Sequence, residues 1–180
     1  MQFRNDAKKS TQAVARLICK SGGSVDYLRI AKLIYLADRK SIERRGIPIV
    51  GGKYFSMQKG PTISEIMNFV GRRNAPGWKE AISPRHGNTI RLQKAPSFSG
   101  LSPSELEILD STLTEHSQRS TEQLVKWCHD NCAEYEDVPK NTSKPISVES
   151  ILKATSKSSN QIAKVLKEAQ SMEALEALLA

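Results

Sequence analysis

Cysteine, histidine and aromatic residues are all scarce in this 180-residue chain, with three cysteines, three histidines and 6% Phe, Trp and Tyr together. An odd, small number of cysteines in a chain this long excludes a disulfide framework. It fits a reducing compartment, so a cytoplasmic protein is expected. Uninterrupted apolar runs are also short, well below the ~20 residues that span a bilayer. The start, MQFRNDAKKS, is polar rather than a charged leader ahead of an apolar stretch, so neither secretion nor membrane association is expected. Missing too are a Gly-rich phosphate loop with its lysine, a G-x-S-x-G elbow and an H-E-x-x-H helix. His86, His116 and His129 stand in no pattern that defines a catalytic dyad, and no enzyme activity is expected. There is no internal repeat and no low-complexity tract.

Basic residues are plentiful, and unevenly placed. The net charge is +8, but residues 1–94 carry +13 and residues 95–180 carry −5. A basic half suits nucleic acid, an anionic surface or an acidic protein partner, and equally a solvated cationic face.

The chain is organised around Leu28 to Ile66, LRIAKLIYLADRKSIERRGIPIVGGKYFSMQKGPTISEI. Leu28, Ile30, Ala31, Leu33, Ile34, Tyr35, Leu36 and Ala37 cover nearly every side of a helix at 100° per residue. A helix apolar all round is a buried one, so this segment is expected to form the central helix of the core. On the wheel Arg29, Lys32, Arg39 and Lys40 share one polar edge. Asp38 instead projects into the apolar arc, where an acid is costly unless it meets a cation or backbone donors. The expectation is a buried anchor tying this helix to Lys59-Gly60-Pro61 or to His129. A catalytic Asp38 or His129 would need a solvent-reachable pocket and a second titratable group.

Around this centre the caps and breakers predict a mostly helical α+β fold, a helical core with a small β-hairpin or sheet element. Asp6 caps a first helix to about Cys19, and Ser24 caps the central helix, which runs from Val25 to about Arg45 and stops at Gly46. Ile49 to Met57 reads as one or two short strands. Thr62-Ile63-Ser64-Glu65 matches a capping box opening a third helix to about Arg73. Trp78–Ser83 and Asn88–Gln93 read as a β-hairpin about His86-Gly87-Asn88. Ser102 and Ser120 open two more helices, each with a capping box. Ala133 to Pro145 is an acidic loop. A short helix follows at Ser147–Ala154, then a turn at Thr155–Ser158 and a long helix from Ser159. A break is expected near Ser171, where the stripe of Ile162, Val165, Leu166 and Ala169 drifts before Met172, Leu175 and Leu179.

Two stretches carry candidate chemistry. Cys128, His129 and Cys132 have the look of metal ligands, but a structural zinc site takes four ligands, usually as two short-spaced pairs, and the remaining Cys19 is distant. Ordinary packing of Cys128 and a hydrogen-bonded His129 are expected instead, with no metal and no cofactor. Residues 147–170 have the proportions of a helix-turn-helix, in which Asn160, Gln161 and Lys164 are of the types that contact base edges or phosphates. The turn lacks the usual glycine, and a plain helical pair has the same pattern. DNA is therefore the alternative partner.

KLIYLADRKSIERRGIPIVGGKYFSMQKGPTISEI resembles the core of the Panacea-domain family, the SocA-like antitoxins of bacteria and phages. In that family a K-L-[LI]-Y-[LF]-A-[DH] helix precedes a G-x-P-[IL]-x-G-x-x-[FY] strand region and a Gly-Pro turn with a helix behind it. Lys32 to Asp38, Gly46 to Phe55, and Gly60-Pro61 supply the three parts in order. Downstream, Leu101 to Leu106 is similar to the family's L-S-x-x-E/D helix start. Cys128-His129-Asp130 with Glu134-Tyr135 is similar to its [ST]-H-x…W element, with Cys128 and Tyr135 as departures. The resemblance covers about residues 5–155. It implies a Panacea-like domain over 1–155 and a helical extension over 156–180, packed on the same domain. It further implies an antitoxin that neutralises a cognate toxin by direct binding, in some members as an adaptor presenting the toxin to an AAA+ protease. Lys32, Tyr35, Asp38, Gly60, Pro61 and His129 are the motif residues it carries over, as structural or partner-binding positions.

Overall fold

The central helix, α2, spans Tyr27–Arg45, and every residue from Ile30 to Asp38 is buried, as its apolar wheel requires. The computed structural model of the chain describes residues 3–155 and 158–179. Before α2 come α1, Ala7–Lys20, and β1, Ser24–Asp26. Asp6 caps α1 through the Lys9 amide. Ser24 does not cap α2, because the chain there is a strand; Asp26 takes the cap by accepting from the Leu28 amide. Gly46 ends α2 at φ 77°, a conformation glycine adopts without penalty.

β2, Tyr54–Met57, and β3, Gly60–Ile63, form an antiparallel hairpin, leaving Ile49 to Lys53 as irregular chain. The expected capping box at 62–65 does not form, because Thr62 and Ile63 belong to β3. α3, Ser64–Arg72, starts without a side-chain cap, and Glu65 accepts from the Lys53 amide instead. The hairpin expected across 78–93 is also corrected. Trp78–Ala81 is a single helical turn, α4, with Trp78 buried against Phe69, and β4, Thr89–Arg91, pairs with β1. Only the bridges Ile82–Leu92 and His86–Thr89 keep a hairpin-like path.

α5, Pro103–Glu115, and α6, Thr121–Asn131, both open with reciprocal capping boxes at Ser102 and Ser120, as expected. The acidic loop conceals a strand, β5, Ser143–Ile146, which pairs with β2 to complete a three-stranded antiparallel sheet in the order β3-β2-β5. α7, Val148–Ala154, is capped by Ser147. α8, Ser159–Leu179, passes Ser171 unbroken, the Ser171 hydroxyl bonding back to the Lys167 carbonyl. The turn expected at 155–158 lies partly outside the described residues, as do the side chains of Ala169, Met172, Leu175 and Leu179.

The class is therefore α+β and mostly helical. One hydrophobic cluster joins α1, α2 and α5 to the sheet and to α7, and Ile162 of α8 is buried in it with Val165 and Leu166 packed alongside. No described helix is long and apolar enough to cross a membrane.

Candidate functional site

α2 delivers four polar side chains into the interior, which between them bind three different parts of the chain. Lys32, Tyr35 and Arg39 lie at i, i+3 and i+7 and so share a face; Asp38 is offset from them.

Asp38 is 0% exposed. Its Oδ1 accepts from the backbone amides of Ile49 and Val50 at 2.8 and 3.0 Å. Its Oδ2 accepts from the Gly51 amide at 3.0 Å and the Tyr54 hydroxyl at 2.9 Å. The acid is indeed an anchor, but not to Gly60-Pro61 or His129. It gathers the irregular segment after α2, whose amides have no strand partner, and this satisfies donors that would otherwise be buried unpaired. Burial pushes its carboxyl up to about 6, against the opposing pull of these four donors.

Tyr35 donates to Glu134 Oε1 at 2.7 Å, and Arg39 Nε donates to the same oxygen at 2.7 Å. Arg39 Nη2 reaches Oε2 at 3.3 Å, making the pair two-pronged. Burial, with Glu134 adjacent, raises the Tyr35 hydroxyl well above its ordinary value. The Tyr35 ring also meets Tyr54 edge-on at 6.0 Å.

The polar edge expected on α2 is not a solvated face. Arg29 donates to the carbonyls of His116 and Arg119, and Lys40 bonds Glu115 and Ser111, so both tie α2 to α5 and the turn after it. Lys32 is a larger departure, because it is 1% exposed. Its Nζ donates to the Pro61 carbonyl at 2.6 Å, and no carboxylate lies within 4 Å of it among the described residues. Burial lowers its ammonium to about 8, opposed by the nearby Cys128 and Cys132 thiols.

Gly60, at φ 89°, sits where Lys32 and His129 converge. A β-carbon there would lie 3.2 Å from His129 Cδ2, 3.3 Å from its Nε2 and 3.5 Å from Lys32 Nζ. His129 is not held by hydrogen bonds as expected. Its ring stacks on Tyr135 at 4.5 Å and its buried Nε2 has no partner. Lys32, Gly60, Pro61 and His129 thus form one cluster, while Tyr35 and Asp38 serve neighbouring ones.

Cys128 and Cys132 are free thiols, buried one helical turn apart, and their mutual interaction lowers Cys128 and raises Cys132. No group of three His, Cys, Asp or Glu able to hold a metal occurs among the described residues. In α8, Asn160, Gln161 and Lys164 are exposed; Gln161 closes a capping box with Ser158, and Lys164 faces Glu168 at 3.8 Å. Glu134, Tyr54 and Thr62 escaped notice as site residues. Glu134 lies in an acidic, proline-bearing loop that signals exposure, and only strand alternation in β2 hinted that Tyr54 faces inward.

The interior wiring defines a helical domain whose polar groups are committed to joining its elements. Residues 30–136, more than half of the chain, match the model of the family described as Antitoxin SocA-like, Panacea domain. The chain belongs to this family. No curated protein and no solved structure matches it.

Proposed function

We propose that the chain is the antitoxin of a toxin–antitoxin pair, acting in the cytoplasm by binding its cognate toxin directly. Family membership across residues 30–136 carries this reading. The polar interior agrees with it: Asp38 has both oxygens filled and no exposure, so it is positioned to hold the fold rather than to catalyse. The unit responsible comprises residues 1–155, with 156–180 as a helical extension. Within it Lys32, Tyr35, Asp38, Gly60, Pro61 and His129 maintain the surface that the toxin meets. Handing the bound toxin to an AAA+ protease is the route by which neutralisation becomes irreversible.

Co-expression with the product of the adjacent gene tests the proposal. Growth arrested by that product is expected to recover, and the two chains to co-purify at fixed stoichiometry. Persistent arrest in the presence of folded antitoxin would sink it. Toxin half-life in a protease-deficient host then reports on the adaptor step, which predicts a longer-lived toxin there.

A further inference from the structure

A cavity of about 210 Å³ opens between the first turn of α2, the β2–β3 turn and α3. Tyr27, Leu28, Met57 and Met67 make its apolar walls, and Lys32, Lys59 and Thr62 are among its polar lining. No aspartate or glutamate lines it. Three observations set it apart from an ordinary surface dent.

Lys32 is a buried cation with one carbonyl as its hydrogen-bond partner and no acid beside it, an arrangement that burial makes costly. At neutral pH it still carries its charge, since burial lowers it only to about 8. The Thr62 hydroxyl is buried without a partner, although buried hydroxyls are normally satisfied. Met57, on the rim, is 39% exposed, a large apolar side chain left in water.

We infer that this cavity is a binding site for a carboxylate carried on a short apolar stem. Lys32 and Lys59 supply the positive charge, the Thr62 hydroxyl donates to a carboxylate oxygen, and Met57, Met67 and Tyr27 cover the stem. The volume falls below the ~300 Å³ at which sites for drug-sized ligands begin, and suits a fragment the size of one acidic side chain. Two sources share this chemistry: a free short-chain acid, or an aspartate or glutamate presented by a protein partner. Around the lysine, the groups that titrate are Cys128, His129 and Cys132, all at or near α6 and none of them lining the cavity.

The experiment follows the lysine ε-methylene resonances of the full chain by NMR while butyrate is added at constant ionic strength. Butanol and chloride serve as controls. The Lys32 resonance is expected to move saturably with butyrate and not with the controls, and Thr62→Val to weaken binding about tenfold, as loss of one hydrogen bond to a charged group does. A Lys32 resonance that stays fixed, or that moves only together with the exposed lysines, would overturn the site. So would a folded Thr62→Val chain that binds butyrate as well as the parent. Repeating the titration on the complex with the adjacent gene's product separates the sources. Exclusion of butyrate from the complex, with a complex weakened by Thr62→Val, identifies a partner's acidic side chain. Undiminished butyrate binding to the complex identifies a free acid. The measurement on the free chain needs no toxin, so its failure is distinct from failure of the antitoxin reading.

Discussion

Asp38 accepts two hydrogen bonds on each carboxylate oxygen, all four from donors. Asparagine matches the shape but replaces one acceptor by an NH₂ group facing two donors. Asp38→Asn is therefore expected to lose about 3 kcal/mol and Asp38→Ala about 3–5 kcal/mol, read by urea denaturation. A parent-like midpoint for either would show that the 49–51 amides find other partners. Lys32 makes the opposite demand, because it is a charge with too few partners. Its ammonium sits at about 8 when folded against an ordinary 10.5, so between these values the folded chain binds fewer protons than the unfolded one. Stability from this group is thus penalised below pH 8 and recovers as pH climbs towards 10.5. The stability of the native chain relative to Lys32→Met is expected to rise over that window; a flat difference would mean the lysine is not desolvated.

Each element has its own dependence on a few contacts. The β2–β3 turn approaches α2 and α6 closely enough that only Gly60 fits, with positive φ and His129 at 3.2 Å from where a β-carbon would sit. Gly60→Ala is expected to cost more than about 1 kcal/mol, since strain and crowding add. Thermal unfolding at the parent temperature would contradict this. The helices capped by Asp6, Ser102 and Ser120 follow from residues within four positions of one another, and these three caps are where the sequence predicts; Ser147, expected as the first residue of its helix, caps it instead. The strands were less legible. β1 finds β4 and β2 finds β5 across more than sixty residues, so three or four residues of suitable type carry no record of the partner. Trp78 shows the same limit: its run has strand composition, yet burial against Phe69 is met by one helical turn.

For the molecule as a whole, the basic half and acidic half do more than set the net charge. Several ion pairs join them, among them Arg16–Asp110, Arg39–Glu134 and Lys9–Glu105, so part of the asymmetry is consumed inside the fold. The remaining positive charge still gives a field that favours acidic partners. Association with the proposed toxin partner is therefore expected to slow as salt rises from ~50 to ~300 mM, with a smaller change in dissociation, measured by stopped-flow. A salt-independent association rate would remove charge from the account of recognition.

The sequence by itself determined the buried central helix, the starts of α1, α5 and α6, the awkwardness of Asp38 and the family resemblance, because each is written in short-range pattern. Only the tertiary structure decided what those residues bind. Asp38 turned out to hold the 49–51 segment, Lys32 to be buried under Pro61 beside an acid-free cavity, and Glu134 to receive both Tyr35 and Arg39. These are properties of distant segments brought together, and a lysine on a helical wheel looks the same whether water or a carbonyl meets its ammonium.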